Sequence, residues 1–170
     1  MIVLRNGRLL DTVRQVDQLA DVVIDDGTIA AVTEADAAPA VDDDTVIDCT
    51  GLWITTGFVD LHTHVREPGY EEAEDIATAS RAAAHGGYTA VCPMANTDPV
   101  CDSAAVAELV WRRARDVGMV DMFPVGSITK GQAGTELTEF GELHDSAAAV
   151  DFFSDDGIPL ADSFVMRRAL

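Results

Sequence analysis

Positive charge is what this 170-residue sequence has least of. Eleven cationic residues stand against 30 acidic ones, a formal net charge of −19, and Lys130 is the single lysine. No face built from so few cations would hold a phosphate backbone against that field, which argues against nucleic acid as a partner. Long apolar runs are missing too. None approaches the ~18 residues of a membrane span, and the amino-terminal MIVLRNGRLLD has no extended apolar core and no small-residue cleavage site, which argues against export. Cysteine is scarce: Cys49, Cys92 and Cys101 are odd in number and form no C-x-x-C pair. That excludes a disulfide framework and predicts reduced thiols in a cytoplasmic protein. What is present is a globular composition, 48% hydrophobic and 24% charged, enough for one domain or for a small domain plus part of a larger one.

The first 50 residues read as short strands and tight turns. Residues 2–10 are an apolar run broken by Asn6-Gly7, and 22–32 are two β-rich halves around Asp25-Asp26-Gly27, a hairpin signature. An Ala/Pro/Asp stretch at 36–44 predicts a surface loop, and 46–48 and 52–54 predict more strand. From Phe58 the rhythm changes. Strands are predicted at 58–64, 88–93, 120–125 and 150–153, with helices at 71–85, 103–117, around 137–148, and from 162 onward. Gly86-Gly87 and Gly118 offer C-caps, and Asp102 or Ser103 an N-cap. Val106, Leu109, Val110 and Val117 form the predicted inner face of the second helix. Four strand–helix alternations mean parallel strands with crossover helices. A closed eight-unit barrel takes ~250 residues and about 113 follow Gly57, so the pattern is either roughly half of such a barrel or a complete four-stranded open α/β sheet.

The sharpest chemical feature is Asp60-Leu61-His62-Thr63-His64-Val65-Arg66, ended by Pro68-Gly69. Side chains alternate along a strand, so Asp60, His62, His64 and Arg66 are predicted on one face. Two imidazoles side by side at a strand's C-terminal end suit one zinc ion, and that rim is where parallel α/β folds build sites. Two satisfied polar histidines are the alternative. Arg66 would present a guanidinium fork to a substrate carboxylate, or else form a rim salt bridge to Glu67 or Asp75. Asn96 follows the second strand, where its amide can both donate and accept; a turn asparagine is the plain alternative. Asp155-Asp156 follows the fourth strand and offers metal ligands or proton carriers, or an ordinary turn. His85 and His144 read as surface or capping residues.

Taken together, GFVDLHTHVREPG at 57–69, GGYTAVCPMANTDPV at 86–100, PVGSITKG at 124–131 and FFSDDGIP with MRRAL at 152–170 resemble the class I (bacterial-type) dihydroorotases of the amidohydrolase superfamily. The resemblance runs in order over nearly the whole chain. It implies an α/β fold: the N-terminal part of a metal-dependent (β/α)8 barrel at 56–170, preceded at 1–55 by strands of a small β-sandwich module. It implies one or two zinc ions held by His62, His64 and Asp156, with Arg66 and Asn96 holding the substrate carboxylate. The implied reaction is the reversible cyclisation of N-carbamoyl-L-aspartate to L-dihydroorotate in pyrimidine synthesis. Two further histidine ligands and the catalytic aspartate of such enzymes are expected beyond Leu170. A homo-oligomer, or assembly with aspartate carbamoyltransferase, is the implied partnership. Three alternatives stand beside this reading: a dihydropyrimidinase, hydantoinase or allantoinase, which share H-x-H; a non-catalytic homologue; and an α/β domain with no metal.

Overall fold

The computed structural model describes residues 1–39 and 45–170. Part of the loop expected at 36–44, namely 40–44, lies outside the described residues. The chain divides into two units, Met1–Thr56 and Gly57–Leu170.

The first unit is a five-stranded sheet. Strands β1 (Ile2–Asp11), β2 (Val16–Asp25) and β3 (Thr28–Glu34) form an antiparallel meander, and Asp26 and Gly27 turn the second corner with φ of 47° and 72°. Both central positions need positive φ, which is why Asp-Gly serves there. The other side of β1 pairs in parallel with β4 (Thr45–Asp48) along its first half and with β5 (Trp53–Thr55) along its second. The buried cluster is small: Val3, Val23 and Ala38. Beside it Asp21 is fully buried, and its carboxylate accepts from the backbone N–H groups of Asn6 (2.8 Å), Ala38 (3.0 Å) and Asp36 (3.2 Å). These bonds tie the β1 irregularity at Asn6, where φ is 59°, to the chain leaving β3.

The second unit is α/β. Strands β6 (Phe58–Thr63), β7 (Tyr88–Pro93) and β8 (Asp121–Met122) form a parallel sheet in the order β6-β7-β8. Helices α1 (Ile76–His85) and α2 (Ala104–Val117) are the crossovers, and the short α3 (Phe140–Asp145) and α4 (Ser163–Ala169) follow. The core between helices and sheet joins Val65, Ile76, Val91, Val110, Ala114, Val120 and Met122. A second cluster packs Ala95, Cys101, Val106, Ala107, Leu143, Ala148 and Val150. No helix among the described residues is long and apolar enough to cross a membrane.

Several sequence expectations need correction. Helix α1 starts at Ile76 rather than near 71, because Asp75 caps it: Asp75 accepts from Thr78 N–H at 2.7 Å and Thr78 reaches back, closing a capping box. Gly86 ends α1 in right-handed conformation and Gly87, with φ of 80°, makes the left-handed turn. The inner face of α2 is Val106, Ala107, Val110 and Ala114, while Leu109 is 44% exposed. Ala114 packs in the cluster with Val91 and Met122 of the sheet and Ala107 in the cluster with Leu143 of α3, so the buried stripe turns away from Leu109. Ser103 is the N-cap of α2 but makes no side-chain cap bond, and Asp102 instead accepts from Gly131 N–H at 2.9 Å. The strand expected at 150–153 is only a bridge, Gly126 to Phe153. The chain around it is pulled into loops by side-chain bonds described below.

Candidate metal centre

Strand β6 ends at Thr63, so only His62 belongs to it; His64 sits on the first step of the following loop. The Asp60 carboxylate accepts from the His62 N–H at 3.0 Å, and the ladder to β7 shifts register between Asp60 and Thr63. The strand alternation that placed Asp60, His62, His64 and Arg66 on one face therefore fails after Thr63. Arg66 has φ of 63°, a left-handed conformation, so its direction is set by the loop and not by period two. Glu67 does not pair with Arg66 in any bond of the structure. It is buried, accepts from the Ile76 N–H at the start of α1 (2.9 Å), and receives the Arg113 guanidinium of α2 at 3.1 Å.

The next rim loop locks against this one. Gly69 has φ of 101°, and a Cβ there would meet the Asp98 carbonyl oxygen at 2.2 Å. The Asp98 N–H donates to Pro68 C=O at 3.0 Å. Glycine is thus required twice over, by conformation and by space. The lock brings the loop that carries Asn96 beside His64.

His62, His64 and Asp156 converge. One ligand atom from each lies within 4.8 Å of the others. His62 Nε2 is 2.9 Å from Asp156 Oδ1, and the two imidazoles stand edge-to-face with centroids 5.4 Å apart. Ligand atoms on one tetrahedral zinc sit about 3.3 Å apart, given Zn–N and Zn–O distances near 2.0–2.1 Å, so this spacing fits a single cation. Asn96 lies between two of the three: its Nδ2 donates to Asp156 Oδ2 at 2.8 Å, and its Oδ1 is 3.1 Å from His64 Nδ1. With Nδ1 carrying the proton toward Asn96, His64 keeps its Nε2 lone pair for a metal, the usual outer-shell arrangement around a ligating histidine. The donor set, two imidazoles and a carboxylate, is that of hydrolytic zinc sites.

The two aspartates of the pair diverge in role. Asp156 is half-buried and faces the histidines, whereas Asp155 is 3% exposed and faces inward, bonded to Ile128 and Thr129. Spacing alone did not separate them; the family resemblance pointed to Asp156 and left Asp155 without a role. The signal was the polar Ser127-Ile128-Thr129 segment, which supplies the donors a buried carboxylate needs. His144 pairs with Asp151 on the exposed surface at 3.0 Å, away from this set. Cys92 is buried behind the rim; burial, and then the charge of Asp60, pushes its thiol up, so it is no nucleophile.

Residues 51–169 match the family model described as "Dihydro-orotase-like". The chain is 57% identical over 150 residues to the dihydroorotase of Mycobacterium tuberculosis (strain ATCC 25618 / H37Rv), covering 88% of this chain and 34% of that protein. It is 49% identical over 170 residues to the dihydroorotase of Anaeromyxobacter dehalogenans (strain 2CP-C), covering 100% of this chain and 38% of that one. Among solved structures it resembles the L-hydantoinase (dihydropyrimidinase) of Arthrobacter aurescens, with TM-score 0.72, 24% identity, and 89% and 32% coverage. The D-hydantoinase (dihydropyrimidinase) of Thermus sp. is similar at TM-score 0.61 and 25% identity, covering 85% and 30%. The structural likenesses show the shared α/β fold. The chain spans little more than a third of the length of the curated relatives it matches.

Proposed function

The chain belongs to the dihydroorotase-like family, and from that premise we propose that it is the N-terminal part of a metal-dependent dihydroorotase, interconverting N-carbamoyl-L-aspartate and L-dihydroorotate. In this reading residues 1–55 contribute strands to a β-sandwich module and 56–170 open a (β/α)8 barrel. The observation that carries it is the convergence of His62, His64 and Asp156 at the C-terminal rim of a parallel sheet.

His62, His64 and Asp156 would hold zinc, as one ion or as part of a pair. Bound there, zinc would lower the pKa of water and polarise the scissile amide carbonyl. The work of this chain's residues is to bind and orient. Asn96 fixes the His64 tautomer and the Asp156 carboxylate. Arg66, half-buried on the same loop, would hold the substrate carboxylate through its guanidinium fork, and Asn96 would assist by its amide. The proton carrier and the remaining ligands would come from the rest of the protein, in the cytoplasm, where a homo-oligomer or a complex with aspartate carbamoyltransferase is the proposed assembly.

The test is turnover by the purified full-length protein. L-dihydroorotate should be hydrolysed, with activity lost on chelation and restored by zinc. Hydrolysis of hydantoin or allantoin without dihydroorotate would assign another cyclic amide. Full metal binding with no turnover of any of these would indicate a non-catalytic homologue.

A further inference from the structure

We propose that Asp155 is a positioning residue that aims Asp156 at the cation site shared with His62 and His64. This rests on the metal reading above and extends it to a carboxylate whose own oxygens are engaged elsewhere.

Asp156 has φ of 53°. Aspartate takes that left-handed conformation more readily than most residues with a side chain, and here local bonds hold it. The Asp156 N–H donates to Ser154 Oγ at 2.9 Å, and its carboxylate takes the Asn96 amide at 2.8 Å. Asp155 locks the residue before it. Its Oδ1 accepts from the N–H groups of Ile128 (2.8 Å) and Thr129 (3.0 Å), and its Oδ2 accepts from Thr129 Oγ1 at 2.5 Å. All three donors belong to the segment leaving β8, and that segment is itself braced. Ser127 Oγ donates to Thr129 C=O at 2.9 Å, Thr138 Oγ1 to Ser127 C=O at 2.8 Å, and Gly134 N–H to Thr129 Oγ1 at 2.9 Å. Ser127, Thr129, Thr138 and Asp155 are all buried. The Gly126–Phe153 bridge runs directly into Ser154, whose N–H donates to Gly126 C=O at 2.8 Å.

The frame therefore fixes the backbone at 154 and 155 from both sides, and with it the direction in which the Asp156 side chain leaves. Without the Asp155 carboxylate, the Ile128 and Thr129 N–H groups lose their acceptor, and the residue next to Asp156 loses its side-chain anchor to the inner segment. A staple that served stability alone would leave the metal's ligand geometry untouched once the protein is folded.

The experiment titrates Co2+ alone into the metal-stripped full-length protein, reading its dissociation constant by competition and its visible ligand-field band, with circular dichroism to establish folding. Asp155→Ala, which removes both acceptor oxygens, should weaken Co2+ binding about tenfold or more, the range seen for outer-shell changes, and should alter the band. Thr129→Val, which removes one donor and keeps the carboxylate, should shift both in the same direction by less. The double variant should be no worse than Asp155→Ala. Affinity and band within twofold of wild type in folded Asp155→Ala, even with lowered thermal stability, would overturn the proposal. If Asp155→Ala does not fold, an unchanged Thr129→Val overturns it equally. Wild type that binds no Co2+ sinks the metal reading and this inference with it. Binding abolished by His62→Ala but indifferent to Asp155 sinks this inference alone.

Discussion

A buried carboxylate has to be held by donors, and Asp21 is held mainly by backbone amides, with the Arg5 guanidinium 3.9 Å away. Burial alone would push its carboxyl up; the N–H groups of Asn6, Ala38 and Asp36, with Arg5 behind them, outweigh burial and hold it below the usual aspartate value. A lowered folded value means that Asp21 stabilises fully above its unfolded pKa of about 3.9, and that this contribution is lost as pH falls through the folded value. Asp21→Asn should therefore cost about 1–3 kcal/mol at neutral pH. In urea melts its deficit against wild type should shrink below pH ~4; an equal deficit at pH 7 and pH 3 would show that the charge does not matter. Gly69 makes a second prediction at this scale. Gly69→Ala pushes a methyl into the Asp98 carbonyl and strains a φ of 101°. It should separate the His64 and Asn96 loops and weaken zinc binding by the full-length protein, measured against a chromophoric chelator.

At the scale of elements, the site stands on how helices meet loops. Ile76 is the first residue of α1, is 1% exposed, and sits in the main core cluster. Ile76→Ala should cost about 2–5 kcal/mol in denaturant unfolding. Glu67 joins the rim loop to both crossover helices: it accepts from Ile76 N–H at the start of α1 and receives Arg113 from the later part of α2. The two partners are unequal. Glu67→Ala leaves a buried N–H unpaired and should cost about 1–3 kcal/mol. Arg113→Ala removes a side chain that is 54% exposed and should cost much less. Equal losses would mean that the ion pair, and not the amide bond, holds the loop. The elements were largely legible in the sequence because glycine caps, apolar runs and Asp-Gly turns act locally. The site was legible as residue types: His62 and His64 by their spacing, Asp156 and Asn96 by their motifs. What the sequence did not reveal were contacts between segments distant in the chain. The Asp155 bonds to residues 128 and 129, the Glu67–Arg113 pair and the Asn96 bridge all depend on tertiary approach. Period two also misled at Arg66, since a strand that ends at Thr63 has no alternation left to extend.

For the whole molecule, β6 is an edge of its three-stranded sheet, and Phe58, Val59 and Leu61 along it are 56%, 55% and 65% exposed. An apolar, unpaired edge invites association. The 170 residues expressed alone should form soluble aggregates or oligomers on size exclusion and show no dihydroorotate turnover; a monodisperse, active fragment would contradict both expectations. The three free cysteines are all buried, Cys49 in the first unit, Cys92 and Cys101 in the second. Burial pushes the Cys101 thiol up to about 12. Alkylating reagents attack the thiolate, so none of these sulfurs should be labelled until its surroundings open. Mass-resolved labelling in native buffer would then time the opening of each half of the molecule separately, one tag for the β-sheet and two for the α/β portion, with no probe introduced.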